Sequence, residues 1–282
     1  SFEHRLLLHE TINSPTVKGI RKMAKRIFLF IIGIELIGAL ILAVHWFSAY
    51  GKKAAWYGLF HSIAAFNNAG FDILSTGNKF ESLAKYTTDI TVNLTIASLI
   101  ILGGIGFYVL SDVYRFMGGK KQQLSYQTKV VCVVTLLLLA VGTILFFVNE
   151  YYNPATLGKY SLGNKLLISF FNSVTPRTAG FSTVPVASFS VLTLLGIIAL
   201  MFIGASPGGT GGGVKTTTIA IFWAYLKKCI QRRKDINLIS RRITEALLDR
   251  AIAITFLGII FIGTVSFIIA YTDKLGILEV LF

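Results

Sequence analysis

Four apolar runs, Ile27–Phe47, Val92–Val113, Val130–Val148 and Ala251–Tyr271, each approach the roughly 20 residues that an α-helix needs to cross a hydrocarbon core. A fifth apolar region, Phe189–Leu226, is interrupted by glycines. Between the long runs lie two shorter stretches, Trp56–Phe66 and Lys165–Val174. As a helix of about eleven residues the first measures about 16 Å, half of a core about 30 Å thick, so it reaches the midplane and stops. Pro176 closes the second, since proline has no N–H and restricts the residue before it. The order span, half-length helix, glycine-bearing loop, span thus occurs at 27–113 and recurs at 130–226. A shift of 110 positions places Phe60 on Phe170 and Ala69-Gly70-Phe71 on Ala179-Gly180-Phe181, as an internal repeat requires. The pattern predicts an all-α integral membrane protein of repeated span–pore helix–loop–span units.

Composition agrees, since 54% hydrophobic and 14% charged residues with a mean hydropathy of +0.69 exclude a soluble domain. A net charge of +14 would suggest nucleic acid in a soluble protein, but its placement assigns it to topology, and no nucleic-acid partner is expected. Basic residues cluster before Ile27 (Arg5, Lys18, Arg21, Lys22, Lys25, Arg26), between the second and third spans (Arg115, Lys120, Lys121, Lys129) and after Leu226 (Lys227, Lys228, Arg232, Arg233, Lys234, Arg241, Arg242, Arg250). The positive-inside bias puts these on the cytoplasmic side of the plasma membrane, so the segments 48–91 and 149–188 enter from outside. With only Cys132 and Cys229, no structural disulfide is expected, and a basic start followed directly by a full span predicts no cleavable signal.

Irregular backbone returning from the midplane is tolerated only where it lines a wet cavity or is buried in protein. A helix entering from outside aims its C-terminal end, with about half a negative charge, at the membrane centre, where a dehydrated cation needs compensation. Gly70 and Gly180 permit backbone angles closed to other residues, so the carbonyls before them can turn toward one axis. The candidate cation ligands are the backbone oxygens of Asn67, Asn68, Ala69 and Gly70, and of Arg177, Thr178, Ala179 and Gly180. Rings of carbonyls replace the hydration shell of a weakly hydrated monovalent cation, and the absence of Asp and Glu from both loops favours potassium over calcium.

Other positions have plainer readings. Asp72 and Asp89 are read as solvated loop charges rather than a cation-concentrating rim. Arg177 is expected to brace its loop from behind, and Phe71 and Phe181 to anchor the loops in a hydrophobic wall. Glu35, inside the first span, is read as held by a serine, a histidine or a backbone group rather than as lining an ion path. His45 and His61 do not pair with Cys or carboxylates at ligand spacing, so no metal site besides the transported ion is expected. Gly103-Gly104-Ile105-Gly106 predicts a bend or a close helix contact.

Six of the ten residues Gly204, Ala205, Ser206, Pro207, Gly208, Gly209, Thr210, Gly211, Gly212 and Gly213 are glycine. A continuous helix there would lose roughly 1 kcal/mol per interior glycine and more at Pro207, so a broken loop is predicted. It is no phosphate-binding loop, because Val214 stands before Lys215 and the surroundings are a membrane span.

Asn67-Asn-Ala-Gly-Phe71, Thr175-Pro-Arg-Thr-Ala-Gly-Phe181 and Gly204-Ala-Ser-Pro-Gly-Gly-Thr-Gly-Gly-Gly-Val-Lys-Thr-Thr-Thr218 together resemble the membrane subunits of bacterial Ktr potassium uptake systems, in the Trk/Ktr/HKT superfamily. The resemblance covers nearly the whole chain. It implies four repeats around a pseudo-fourfold pore with one filter glycine each. On that pattern 1–26 is a cytoplasmic link from a preceding repeat, 27–113 and 130–226 are complete repeats joined by the cytoplasmic loop 114–129, 227–250 is a basic cytoplasmic segment, and 251–282 holds the first span of an incomplete repeat. The chain then carries half of a filter: either it is a fragment, which the family pattern favours, or two copies assemble one pore.

The resemblance also implies that 204–215 lies below the filter and blocks the path when closed. Lys215 would either raise the barrier to a passing cation or snorkel to the inner interface. Implied partners are a second copy in a homodimer and a cytoplasmic nucleotide-binding RCK-type ring at 227–250, a segment whose charge would equally attract anionic lipids. The expected function is potassium uptake, with sodium as a possible companion ion and no cofactor. A Trk-type or less selective sodium/potassium transporter is the alternative. An intramembrane enzyme would need a nucleophile–base pair or metal ligands at membrane depth, and the sequence offers neither.

Overall fold

The computed structural model describes residues 17–74, 82–119, 123–233, 235–239, 241–274 and 276–282, without the side chains of 17–24 and 26. Residues 1–16 of the expected link, and Lys120, Lys121 and Lys234, fall outside the described residues. The chain forms α1 (Val17–Tyr50), α2 (Lys53–Phe66), α3 (Ile90–Ile105), α4 (Phe107–Met117), α5 (Tyr126–Glu150), α6 (Leu162–Val174), α7 (Val191–Phe202), α8 (Thr216–Ile230), β1 (Ile236–Leu238), β2 (Arg241–Ile243), α9 (Glu245–Asp273) and α10 (Ile277–Leu281). By length and apolarity α1 from Ile27, α5 and α9 can each cross a bilayer. Helices α3 and α4 make a fourth such unit, broken by a bend of 102°.

The half-length helices are longer than the sequence pattern suggests, 14 residues in α2 and 13 in α6. Each packs back on the span before it by the same device. Ser62 Oγ donates to the carbonyl of Glu35 at 2.6 Å, and Ser173 Oγ to that of Leu139 at 2.8 Å. Three residues further along each span a glycine makes room: a Cβ on Gly38 would lie 2.7 Å from Ser62 Oγ, and one on Gly142 2.3 Å from Ser173 Oγ.

The tightest crossing of α1 and α2 is at Gly58, where a Cβ would meet the Ala39 carbonyl at 2.6 Å and the Ala43 nitrogen at 2.8 Å. Small residues at helix contacts are the usual means of close approach in membranes. Gly58→Val is therefore expected to force the two helices apart and abolish the folded, monodisperse species on size-exclusion chromatography. Gly33→Ala, with nothing within 4 Å of its Cβ position, should elute unchanged.

Leu42, Trp46, Phe66, Ile96, Phe171 and Phe181 share one buried cluster, so a single core joins the two repeats, with α3 also touching α6. At the end of α5, the fully buried Glu150 carboxylate accepts from Asn153 Nδ2, Thr156 Oγ1, Thr193 Oγ1 and the Ser190 backbone N–H. It ties α5 to the start of α7. Glu150→Ala should remove about 3 kcal/mol of stability by stranding these donors, measured as a lowered Tm in detergent, with Glu150→Gln closer to wild type.

The basic segment 227–250 contains the antiparallel pair β1–β2, in which Ile236 stands opposite Ile243. Both isoleucines bury against Ala224 of α8 and Leu248 of α9, which is what holds so short a hairpin.

Candidate functional site: two carbonyl loops over a glycine-rich strap

After α2 and α6 the chain takes the same unusual path twice. Asn68 and Gly70 have φ of 51° and 69°, and Thr178 and Gly180, at the 110-residue shift, have 76° and 83°. Ala69 and Ala179 between them are not left-handed. Alternation of this kind turns successive N–H groups to one side of the chain and carbonyls to the other. The N–H side faces the helix ends: Ala69 N donates to Ala64 O at 2.8 Å, and Ala179 and Gly180 N both donate to Thr175 O at 3.0 and 3.3 Å. Among the described residues, none of the carbonyls of Asn67, Asn68, Ala69, Gly70, Arg177, Thr178, Ala179 or Gly180 accepts a hydrogen bond. The two loops also meet, since a Cβ on Gly70 would lie 2.1 Å from the Ala179 oxygen and 3.1 Å from Gly180 Cα.

The second span of the first repeat breaks at Gly106, whose φ is 93°. Breaking a helix frees backbone groups that lipid cannot satisfy. Here the glycine-rich segment of the second repeat satisfies them: Thr210 N donates to Gly103 O, Ser206 N to Gly104 O, and Phe107 N to Gly208 O. Two breaks in different repeats thus pair with each other. The bend predicted from Gly103-Gly104-Ile105-Gly106 and the loop predicted from 204–213 form one bonded unit.

This strap sits against the ends of α2 and the two carbonyl loops. Thr210 Oγ1 donates to Phe66 O, the last residue of α2, at 2.9 Å and accepts from Asn68 Nδ2 at 2.8 Å. A Cβ on Gly211 would meet Thr178 Oγ1 at 2.2 Å. Within the strap, Ala205 N donates to Gly212 O, and Ser206 and Thr216 share a hydroxyl pair at 2.8 Å. Gly204 packs so closely on Gly212 that a Cβ would be 1.9 Å from its oxygen. Pro207, Gly208, Gly209 and Gly213 complete the turn around these contacts, with Gly208 and Gly213 both left-handed. Lys215 is half-buried and its Nζ donates to Gly211 O at 3.0 Å, back into the strap.

Several readings of single residues change. Asp72 is not a solvated charge: its side chain is only 8% exposed and it binds Nε2 of the fully buried His61 at 2.8 Å, while His61 Nδ1 donates to Tyr57 O. Asp89 caps α3 by accepting from Val92 N and meets His45 at 2.6 Å. His61 and His45 each meet one carboxylate, across 11 and 44 residues of chain, as braces that join α2 or α1 to the segments that follow. Phe181 is buried as expected, but Phe71 is 68% exposed and anchors nothing among the described residues. The partner of the Glu35 carboxylate is none of those anticipated but Asn67 Nδ2, at 2.9 Å, so the first span holds the start of the first carbonyl loop directly. Arg177 is buried, and its Nε has no hydrogen-bond partner among the described residues. Thr210 touches both broken spans and the end of α2, a role that nothing but a hydroxyl flanked by glycine pairs signals in the sequence.

The chain matches the family model for TrkH, cation transport protein, over residues 2–280. It is 38% identical to the Ktr system potassium uptake protein B of Bacillus subtilis, across 99% of this chain and 62% of that protein. Against the Ktr system potassium uptake protein B of Vibrio alginolyticus the identity is 34%, across 100% of this chain and 61% of the relative. The potassium/sodium uptake protein NtpJ of Enterococcus hirae is 33% identical, across 98% and 59%. The chain thus spans about three fifths of the length of these curated relatives. In fold it is similar to the crystal structure of the potassium transporter TrkH from Vibrio parahaemolyticus, with a TM-score of 0.70 at 17% identity, covering 98% of this chain and 57% of that one. A multi-pass helical chain with paired carbonyl loops and a family match along almost its whole length belongs to the TrkH family of cation transport proteins.

Proposed function

We propose that this chain forms part of a potassium uptake pore in the plasma membrane. The observation that carries this reading is the set of eight loop carbonyls, four per repeat, that accept no hydrogen bond among the described residues while their N–H groups are turned away. Asn68, Arg177 and Ala179 are buried, where such groups are normally paired, so carbonyls left open there and beside them are suited to a dehydrated cation. The relatives' names, two of potassium and one of potassium/sodium uptake proteins, support the ion and leave sodium as a companion.

On this reading the loops enter from outside, and two further loops close the filter. The strap 204–215 is the gate, in its closed position against the filter base, with Lys215 adding a fixed positive charge. Two such subunits form a dimer over an RCK-type ring that meets 227–250. The test is rubidium uptake in cells lacking other potassium uptake. Wild type should take up rubidium against excess sodium, and Gly70→Ser and Gly180→Ser should lose rate or selectivity; unchanged behaviour in both variants would sink the filter assignment.

A further inference from the structure

Where α1 turns through Gly51 into α2, the two helices leave an apolar groove of about 600 Å³ between them. Its walls are Ala43, Val44 and Phe47 of α1 and Ala55 of α2, and Lys52 is its polar member. Val44 and Phe47 are exposed, and the same face of α1 continues through the exposed Leu40 and Ile37. From Phe47 to Ile37 the helix runs about 15 Å, half of a hydrocarbon core about 30 Å thick and so the depth of one leaflet. Trp56, exposed one turn after Lys52, marks the headgroup level, where the amphipathic indole collects.

The charge at the rim of this groove has no counterpart. Lys52 and Lys53 are both exposed, the first turn of α2 holds no acid, and neither lysine forms an ion pair among the described residues. The acids described in 48–91, Asp72 and Asp89, are already held by His61 and His45. A second copy seated face to face on this groove would set lysine against lysine. An anionic phospholipid answers both features together, with an acyl chain for the groove and a phosphate for the lysines.

We infer that the groove binds an anionic phospholipid of the leaflet at the α1–α2 turn, the outer one on the topology above, with its phosphate at Lys52 and Lys53 and one acyl chain along Ala43, Val44 and Phe47. The lysine stem lies along the apolar wall while the ammonium reaches the phosphate. The site adjoins the tightest crossing of α1 and α2, because the Ala43 nitrogen is 2.8 Å from the Cβ position of Gly58. A lipid seated there buttresses that crossing, and with it the helix that leads into the first carbonyl loop. The inference needs the membrane spans and is independent of which ion passes.

The full-length protein, stripped of lipid in detergent, is titrated with dioleoylphosphatidylglycerol and in parallel with dioleoylphosphatidylethanolamine, and bound lipid is counted by native mass spectrometry. Wild type should hold phosphatidylglycerol at a site that phosphatidylethanolamine fills less well. Lys52→Gln should weaken phosphatidylglycerol at that site about fivefold, the factor carried by one basic group near an anionic headgroup, and Lys52→Arg should keep it. Ala55→Phe, which fills the groove and leaves the charges, should lose the same lipid. Both positions are exposed, so the lipid-free Tm of each variant should match wild type, while the rise in Tm on adding phosphatidylglycerol should shrink. Unchanged phosphatidylglycerol binding in Lys52→Gln overturns the site, as does full retention in Ala55→Phe. Should Ala55→Phe not fold, Lys52→Gln against Lys52→Arg decides alone. A changed number of subunits at constant lipid count would give the groove to a second copy, and no preference for phosphatidylglycerol in wild type would give it to another protein segment; either result overturns the proposal. None of these variants touches the carbonyl loops, so Gly70→Ser and Gly180→Ser test the filter separately.

Discussion

Gly70→Ser is expected to reduce the preference for potassium over sodium about tenfold, and Gly180→Ser to do so less. Both glycines are left-handed, which costs an L-residue about 1–2 kcal/mol. Only Gly70 adds a collision. Its Cβ would sit 2.1 Å from the Ala179 oxygen, one of the proposed ligands, whereas at Gly180 the nearest atom is Gly70 Cα at 3.8 Å. Serine at 70 must therefore push a ligand of the other repeat out of line, and about 1.4 kcal/mol of lost discrimination is tenfold. Serine at 180 strains its own loop alone. Potassium and sodium competition against rubidium uptake separates the two. Equal effects, or a larger one at 180, would show that the loops are not packed as described.

The second large effect is expected at Gly211. Gly211→Val places atoms where Thr178 Oγ1 and Ala205 Cβ already are, 2.2 and 2.9 Å from the Cβ position. Overpacking of this kind costs about 1–3 kcal/mol, borne by the closed position only if the strap moves away when the pore opens. Basal rubidium flux should then rise about tenfold at equal protein level, since each 1.4 kcal/mol is tenfold in the closed–open equilibrium. Gly212→Ala, with open space at its Cβ position, is the matched control and should leave flux unchanged. Flux lowered by Gly211→Val would mean that the strap is a fixed part of the pathway.

Much of this was readable from the pattern of residues. Span lengths gave the helical class, and half-length helices followed by Gly70 and Gly180 marked the loops because glycine frequency and helix length are local properties. The partners of buried polar groups were not readable. Asp72 looked like a loop charge because nothing in the sequence places His61, one helix away, with its ring inside the core. Glu35 and Asn67 meet across 32 residues, and Asn68 and Thr210 across 142, distances over which no period or spacing carries information. The break at Gly106 was half visible: glycines allowed a bend, but its 102° follows from a strap in another repeat that satisfies the freed backbone. The β1–β2 hairpin was missed because three-residue strands leave no alternation to read.

The central claim is that the carbonyls of 67–70 and 177–180 bind the transported ion. It is tested most directly by anomalous scattering from crystals of the full-length protein grown in rubidium or thallium salts. The account predicts anomalous peaks between the two loops, within coordination distance of those carbonyls, that weaken when sodium replaces the heavier ion. Ion density confined to other parts of the protein, with the eight carbonyls facing none of it, would contradict the account.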